Sequence, residues 1–212
     1  MKYDKINNSL FIKNRNNFLS KMKPNSVAIF NSNDIYPVSA DSTLPFEQHR
    51  DIFYLSGIDQ EESVLILRTD KTNGITESIL LLKKTDDHIA VWEGPKVNKQ
   101  QAYEISGIKN VHWLDDLEKI IDKLMLNCNN IYINENEHYR AKIETETRDA
   151  RFSKWVLNKY SNKKKERSNP ILQRLRSVKD PIETKLIQQA CDITNKGFRR
   201  ILNFVKPGVW EY

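Results

Sequence analysis

The chain has 212 residues but only six glycines, two cysteines and four histidines. Each shortage removes a class of chemistry. Neither a G-x-G-x-x-G run nor a P-loop occurs, so no glycine-rich loop is available to cradle phosphates. Cys128 and Cys191 lie in different expected elements and match no metal or redox spacing. They read as small reduced thiols of a cytoplasmic protein. His49, His88, His112 and His138 form neither H-x-x-x-H nor H-E-x-x-H, so they read as surface or packing residues. No G-x-S-x-G elbow is present. No apolar run approaches the roughly 20 residues that span a bilayer. The opening Met1-Lys2-Tyr3-Asp4-Lys5 leads into no apolar segment, so neither a secretory signal nor a membrane partner is expected.

Hydrophobic residues make up 39% and charged residues 29%, a globular balance rather than a disordered one. The net charge of +6 raises the question of nucleic acid. The densest basic run, Lys163-Lys164-Lys165-Glu166-Arg167, has no interleaved aromatics. It reads as a solvated inter-domain loop, and no nucleic-acid partner is expected. Carboxylate pairs such as Asp86-Asp87 and Asp115-Asp116 are of the kind found on exposed faces, and spacing does not separate them from catalytic pairs.

The apolar pattern predicts a helix over Ser9–Met22 and a buried strand over Val27–Phe30. Residues 31–48, with Pro37 and Pro45, read as a long connection of the kind that tends to carry function. Strands are expected at Asp51–Ile58, Ser63–Arg68, Ser78–Lys84 and Ile89–Trp92. Asn73-Gly74 suits a turn that makes the second and third of these an antiparallel pair. Further on, helices are predicted over Asn98–Ser106, Asp115–Asn127 and Tyr139–Tyr160. Short strands are predicted at Val111–Leu114 and Asn130–Asn134. Hairpin and crossover connections together predict an α/β domain with a mixed sheet.

A boundary is expected near Arg176, giving a domain of residues 1–176 and a segment of residues 177–212. Asp180, Pro181 and Glu183 form an N-cap, a first-turn proline and a capping box. Ile182, Leu186, Ala190, Ile193, Gly197, Ile201 and Phe204 then recur at helical spacing, until Lys206-Pro207-Gly208. About thirty-five residues cannot bury a core of their own. The segment therefore reads as the opening helix of a second, truncated domain. Trp92, just before Glu93-Gly94-Pro95, reads either as core or as a recognition residue at a strand lip.

Three stretches resemble one family. "ADSTLPFEQHRDIFYLSGIDQEESVLIL", residues 40–67, resembles the N-terminal domain of Xaa-Pro aminopeptidase (aminopeptidase P). "HIAVWEGPKVNKQQAYEISGI" resembles its Ile/Val-Trp-x-Gly segment. The stretch from Ile171 to Tyr212 resembles its linker and first catalytic-domain helix, with the Arg-x-x-Lys-x-Pro-x-Glu core and Pro-Gly-x-x-Glu-Tyr end. The polar triplet is Gln48-His49-Arg50 here, where similar members carry Gln-Asn-Ser.

The resemblance implies a creatinase-type domain, with a mixed sheet of about six strands flanked by helices. It implies that two manganese ions sit in a following pita-bread domain, held by ligands that this sequence lacks. This chain then has no metal ligand, no cofactor and no catalytic residue of its own. The parent enzyme, expected to be a homo-oligomer, releases an N-terminal residue that precedes proline. Trp92 matches a tryptophan that approaches the substrate across a subunit contact, and Asp41 matches an aspartate of the same region. Two alternatives stand beside this one. One is a stand-alone domain that binds peptides or a partner without catalysis. The other is the N-terminal domain of a prolidase or creatinase-like hydrolase, against which Trp92 and Ala40-Asp41-Ser42 weigh.

Overall fold

A computed structural model describes residues 5–70, 74–85, 90–91, 94–135 and 145–210. The chain divides into two compact units, Met1–Leu175 and Arg176–Tyr212. The first unit begins with helix α1 (Ser9–Lys21) and strand β1 (Ser26–Asn31). A small hairpin of β2 (Pro37–Ser39) and β3 (Ser42–Thr43) follows, then helix α2 (Arg50–Ser56). Strands β4 (Val64–Asp70) and β5 (Ile75–Leu82) come next. Helix α3 (Lys99–Ser106), strand β6 (Asn110–Trp113), helix α4 (Leu117–Met125) and strand β7 (Asn130–Ile133) continue the chain. Helix α5 (Arg148–Lys159), strand β8 (Lys164–Arg167) and helix α6 (Asn169–Ser177) follow.

The main sheet has six strands in the order β6-β5-β4-β1-β7-β8. β4 pairs antiparallel with both β1 and β5, while β5–β6, β1–β7 and β7–β8 are parallel. This is the expected mixed sheet. Its central strands are apolar on both faces because helices cover both. Ala28, Phe30, Leu65 and Leu67 face a cluster that includes Phe18 of α1, Ile52 of α2 and Leu172 of α6. Val27, Ile29, Val64 and Ile66 face a second cluster with Ile121 of α4 and Val156 of α5.

Two expectations fail in instructive ways. Asp51–Ile58 is not a strand but the helix α2 with the residues just after it. His49 caps its start, accepting from the Asp51 backbone N–H, and Gly57 ends it at φ 71°. Its apolar run is rich in β-formers, but Ile52, Leu55 and Ser56 are buried at helical spacing. The basic run is likewise not a loop. Lys164–Arg167 forms edge strand β8, in parallel register with β7. Lysines on an edge discourage pairing with a further chain. The predicted helix over Tyr139–Tyr160 is described only as Arg148–Lys159, with Thr147 as N-cap. Of the predicted strand Ile89–Trp92, Ile89 and Trp92 lie outside the described residues, and Ala90 and Val91 are helical rather than extended.

Helices α2 and α3 end alike. Leu55-Ser56-Gly57-Ile58 and Ile105-Ser106-Gly107-Ile108 both place glycine in the left-handed region at φ 71°. In each, the serine hydroxyl donates to the carbonyl four residues back and accepts the N–H two residues on. Helix α1 lies across both ends. Arg15, only 4% exposed, donates from Nη1 to the Leu55 carbonyl and from Nη2 to the Ser106 carbonyl, each at 2.8 Å. Asn14 donates to the Tyr54 carbonyl at 2.9 Å. One helix thereby satisfies carbonyls that helix ends leave without partners.

On the opposite face Tyr160 donates to Asp122 of α4 at 2.5 Å. Burial, and then this bond, push its phenol up to about 12. An acid held neutral in the fold stabilises it below the unfolded pKa of about 10 and ceases to as pH rises through the folded value. Tyr160→Phe should therefore be less stable than wild type at pH 9, with the difference shrinking between pH 10 and 12. Urea midpoints of both proteins across that range measure it, and a constant difference would refute the linkage.

The second unit contains helix α7 (Pro181–Phe204). Asp180 accepts from the Ile182 N–H, and Glu183 accepts from the Asp180 N–H. No residue of this helix is buried. Among the described residues no helix is long and apolar enough to cross a membrane.

Candidate functional site: a cleft beside the hairpin

The chain leaving β1 forms the hairpin and one wall of an open cleft of about 1300 Å³. Ile35, Tyr36, Pro37, Leu44 and Pro45 line this wall. The opposite wall is the start of α5, with Thr145 to Arg148 and Arg151, and Glu61 and Glu62 also line the cleft. The walls are tied together twice. Arg151 grips Asp34 through Nη2, at 2.9 and 2.8 Å to its two carboxylate oxygens. The Tyr36 hydroxyl and Thr145 Oγ1 share a hydrogen bond of 3.0 Å.

Beneath α5 lies a buried polar cluster at the carboxyl ends of the parallel strands β1 and β7, where α/β sheets commonly place their sites. Asn31 Nδ2 donates to Asp149 Oδ1 at 3.1 Å. His49 Nε2 lies 3.6 Å from Asp149 Oδ2. Asn134 Nδ2 donates to Asp51 at 3.1 Å, and Ser153 donates to the Asn134 carbonyl at 3.0 Å. Burial pushes the Asp149 carboxyl above its usual range, against the opposing pull of His49 and Asn31. His49 thus starts α2 and meets α5 with its other nitrogen.

Asp41 sits at the tip of the hairpin, in the two-residue turn that it forms with Ala40 (φ 51°). It is exposed and makes no hydrogen bond to a described residue, so it does not cap the turn with Ser42. Trp92, His88 and His138 lie outside the described residues. Cys128 is buried and donates to the Asn130 carbonyl, whereas Cys191 is exposed. Arg148, Asp149 and Arg151 were not legible as site residues. The helix was expected to begin near Tyr139, which hid the cap at Thr147. A Thr-Arg-Asp start was the one available signal. Among the described residues no group of three or more His, Cys, Asp or Glu side chains could hold a metal.

A six-stranded mixed sheet covered on both faces, with an exposed hairpin at its carboxyl edge, defines a three-layer α/β domain. The model of the aminopeptidase P N-terminal domain matches residues 11–132, and the chain belongs to that family. The Xaa-Pro aminopeptidase of Haemophilus influenzae is 24% identical over 202 residues, covering 95% of this chain and 44% of that protein. The Intermediate cleaving peptidase 55 of Saccharomyces cerevisiae is 26% identical over 191 residues, covering 84% of this chain and 36% of that protein. A Bacillus anthracis structure assigned as an aminopeptidase P superposes with a TM-score of 0.85 at 26% identity, covering 93% of this chain and 46% of that one. Aminopeptidase P from E. coli shares the fold at a TM-score of 0.84 and 22% identity, covering 99% of this chain and 48% of that one. The chain thus spans less than half the length of these relatives.

Proposed function

We propose that this chain acts as the N-terminal part of a cytoplasmic, homo-oligomeric Xaa-Pro aminopeptidase, which releases the residue preceding a proline at the second position of a peptide. The observation that carries the reading is the family match over residues 11–132. The two manganese ions expected for the whole enzyme would supply the activated water and the carbonyl polarisation. Among the described residues no group of three or more His, Cys, Asp or Glu offers them a ligand set, so no metal step is routed through those residues. Its own contribution is subunit contact and the edge of a substrate site, through Asp41 and Trp92. The exposure of Asp41 supports this, as do the exposed Ile35, Tyr36, Val38 and Leu44 of the same hairpin. Apolar groups left in water along a hairpin suit a surface that meets another protein.

The purified chain should hydrolyse no Xaa-Pro peptide, with or without Mn²⁺. Joined to the catalytic half of the E. coli enzyme, in place of that enzyme's own N-terminal half, it should support Mn²⁺-dependent release of the first residue. Asp41→Ala in the fusion should lower kcat/KM about tenfold, the effect of roughly 1.4 kcal/mol. Turnover by the chain alone, or a soluble fusion without activity, would overturn the reading.

A further inference from the structure

We infer that the cleft between the hairpin and α5 binds the terminal carboxylate of a peptide, with Arg148 as its anchor. The charges of the cleft walls are not alike. Asp34 is gripped by Arg151, Glu61 by Lys96, Glu62 by Lys83 and Glu146 by Lys154. Glu47, exposed at the rim, has no cation partner among the described residues. Arg148 is the opposite case. Its guanidinium is partly buried, and burial lowers its pKa. Yet among the described residues it has no hydrogen bond and no ion pair. Asp34, Glu62 and Asp149 are near enough to be felt. However, Asp34 and Glu62 are engaged by Arg151 and Lys83, and Asp149 by Asn31 and His49.

A desolvated guanidinium without a direct acceptor is costly, and a planar carboxylate offers it two parallel hydrogen bonds. The facing wall completes the recognition. Tyr36, Leu44 and Pro45 give an apolar surface for the side chain next to that carboxylate. Glu47 lies on the same cleft and suits an amino group further along the ligand. The ligand class is therefore a short peptide with an apolar last residue and a free carboxyl end. This inference stands on the cleft alone and does not need the peptidase reading.

The test titrates Ala-Ala-Leu as free acid, and the same tripeptide as its C-terminal amide, into the isotopically labelled 212-residue chain by NMR. The free acid should shift resonances of Tyr36, Thr147 and the Arg148 Nε–H group, and should bind about 10- to 100-fold more tightly than the amide, as loss of a charged hydrogen-bond pair implies. Arg148→Gln should erase the difference between acid and amide, and Arg148→Lys should keep part of it. Equal affinity of acid and amide overturns the inference, as does the absence of saturable shifts in the cleft. Because that comparison uses the wild-type chain, the inference stays falsifiable even if Arg148→Gln fails to fold.

Discussion

Gly57→Ala is expected to destabilise the first unit by about 2–5 kcal/mol. Two costs add. A left-handed backbone at φ 71° costs a residue with a Cβ roughly 1–2 kcal/mol. The added Cβ would also stand 2.3 Å from Phe11 Cε2. Phe11 is 3% exposed and cannot swing away, so the overpacking adds roughly 1–3 kcal/mol. Gly107→Ala should cost less. Its Cβ meets Ile12 Cδ1 at 2.7 Å, the far end of a flexible side chain that is 37% exposed. Gly74→Ala, at φ 66° with nothing within 4 Å, isolates the backbone cost alone. Urea midpoints of the three variants should fall in the order Gly74→Ala, Gly107→Ala, Gly57→Ala, from least to most destabilised. A Gly57→Ala protein as stable as Gly74→Ala would mean that Phe11 does not press on the cap.

Arg15→Met should cost about 2–4 kcal/mol, although it replaces a buried charge with an apolar side chain of similar length. Burial lowers the guanidinium pKa to about 10, which measures how far it is removed from water. Removing it leaves the Leu55 and Ser106 carbonyls buried beside methylenes, and each unsatisfied group costs roughly 1–3 kcal/mol. Part of this is recovered because the guanidinium no longer needs desolvating. Arg15→Lys reaches one carbonyl but lacks the fork for both, so it should fall between wild type and Arg15→Met. Hydrogen exchange offers a local check. In Arg15→Met the last turns of α2 and α3 should lose protection together, because one side chain closes both. Loss confined to one helix, or no loss of stability, would refute the shared role.

Local pattern is enough for much of this fold. The strand cores at 27–30, 64–67 and 79–82 are apolar runs too dense for one-sided burial, and the sheet buries them on both faces. The helix over 181–204 carries its start in Asp180, Pro181 and Glu183, all local groups that cap a helix without any partner. Gly107 follows the helix expected over 98–106 and ends it in the left-handed region. The resemblance in residues 40–67 and beyond names the family, because those motifs occur in order.

Tertiary structure decided the rest. Ile52, Phe53, Tyr54 and Leu55 suit a strand or a helix equally, and contact of one face with the sheet selected the helix. Lys164–Arg167 became a strand through hydrogen bonds donated and accepted by β7, which no property of four charged residues announces. The sheet kept the expected number of strands with different members, since strand identity is settled by pairing rather than by composition. The cleft is the extreme case. Asp34, Glu62 and Arg148 stand far apart in the chain, and only folding sets their charges against one another. What the sequence by itself determined was the family, the α/β class and the capped start of the helix over 181–204, each fixed by neighbours along the chain. What only the tertiary structure decided was which carboxylates already have a cation and that Arg148 has no counter-charge in contact among the described residues, because an ion pair is a property of distance in space.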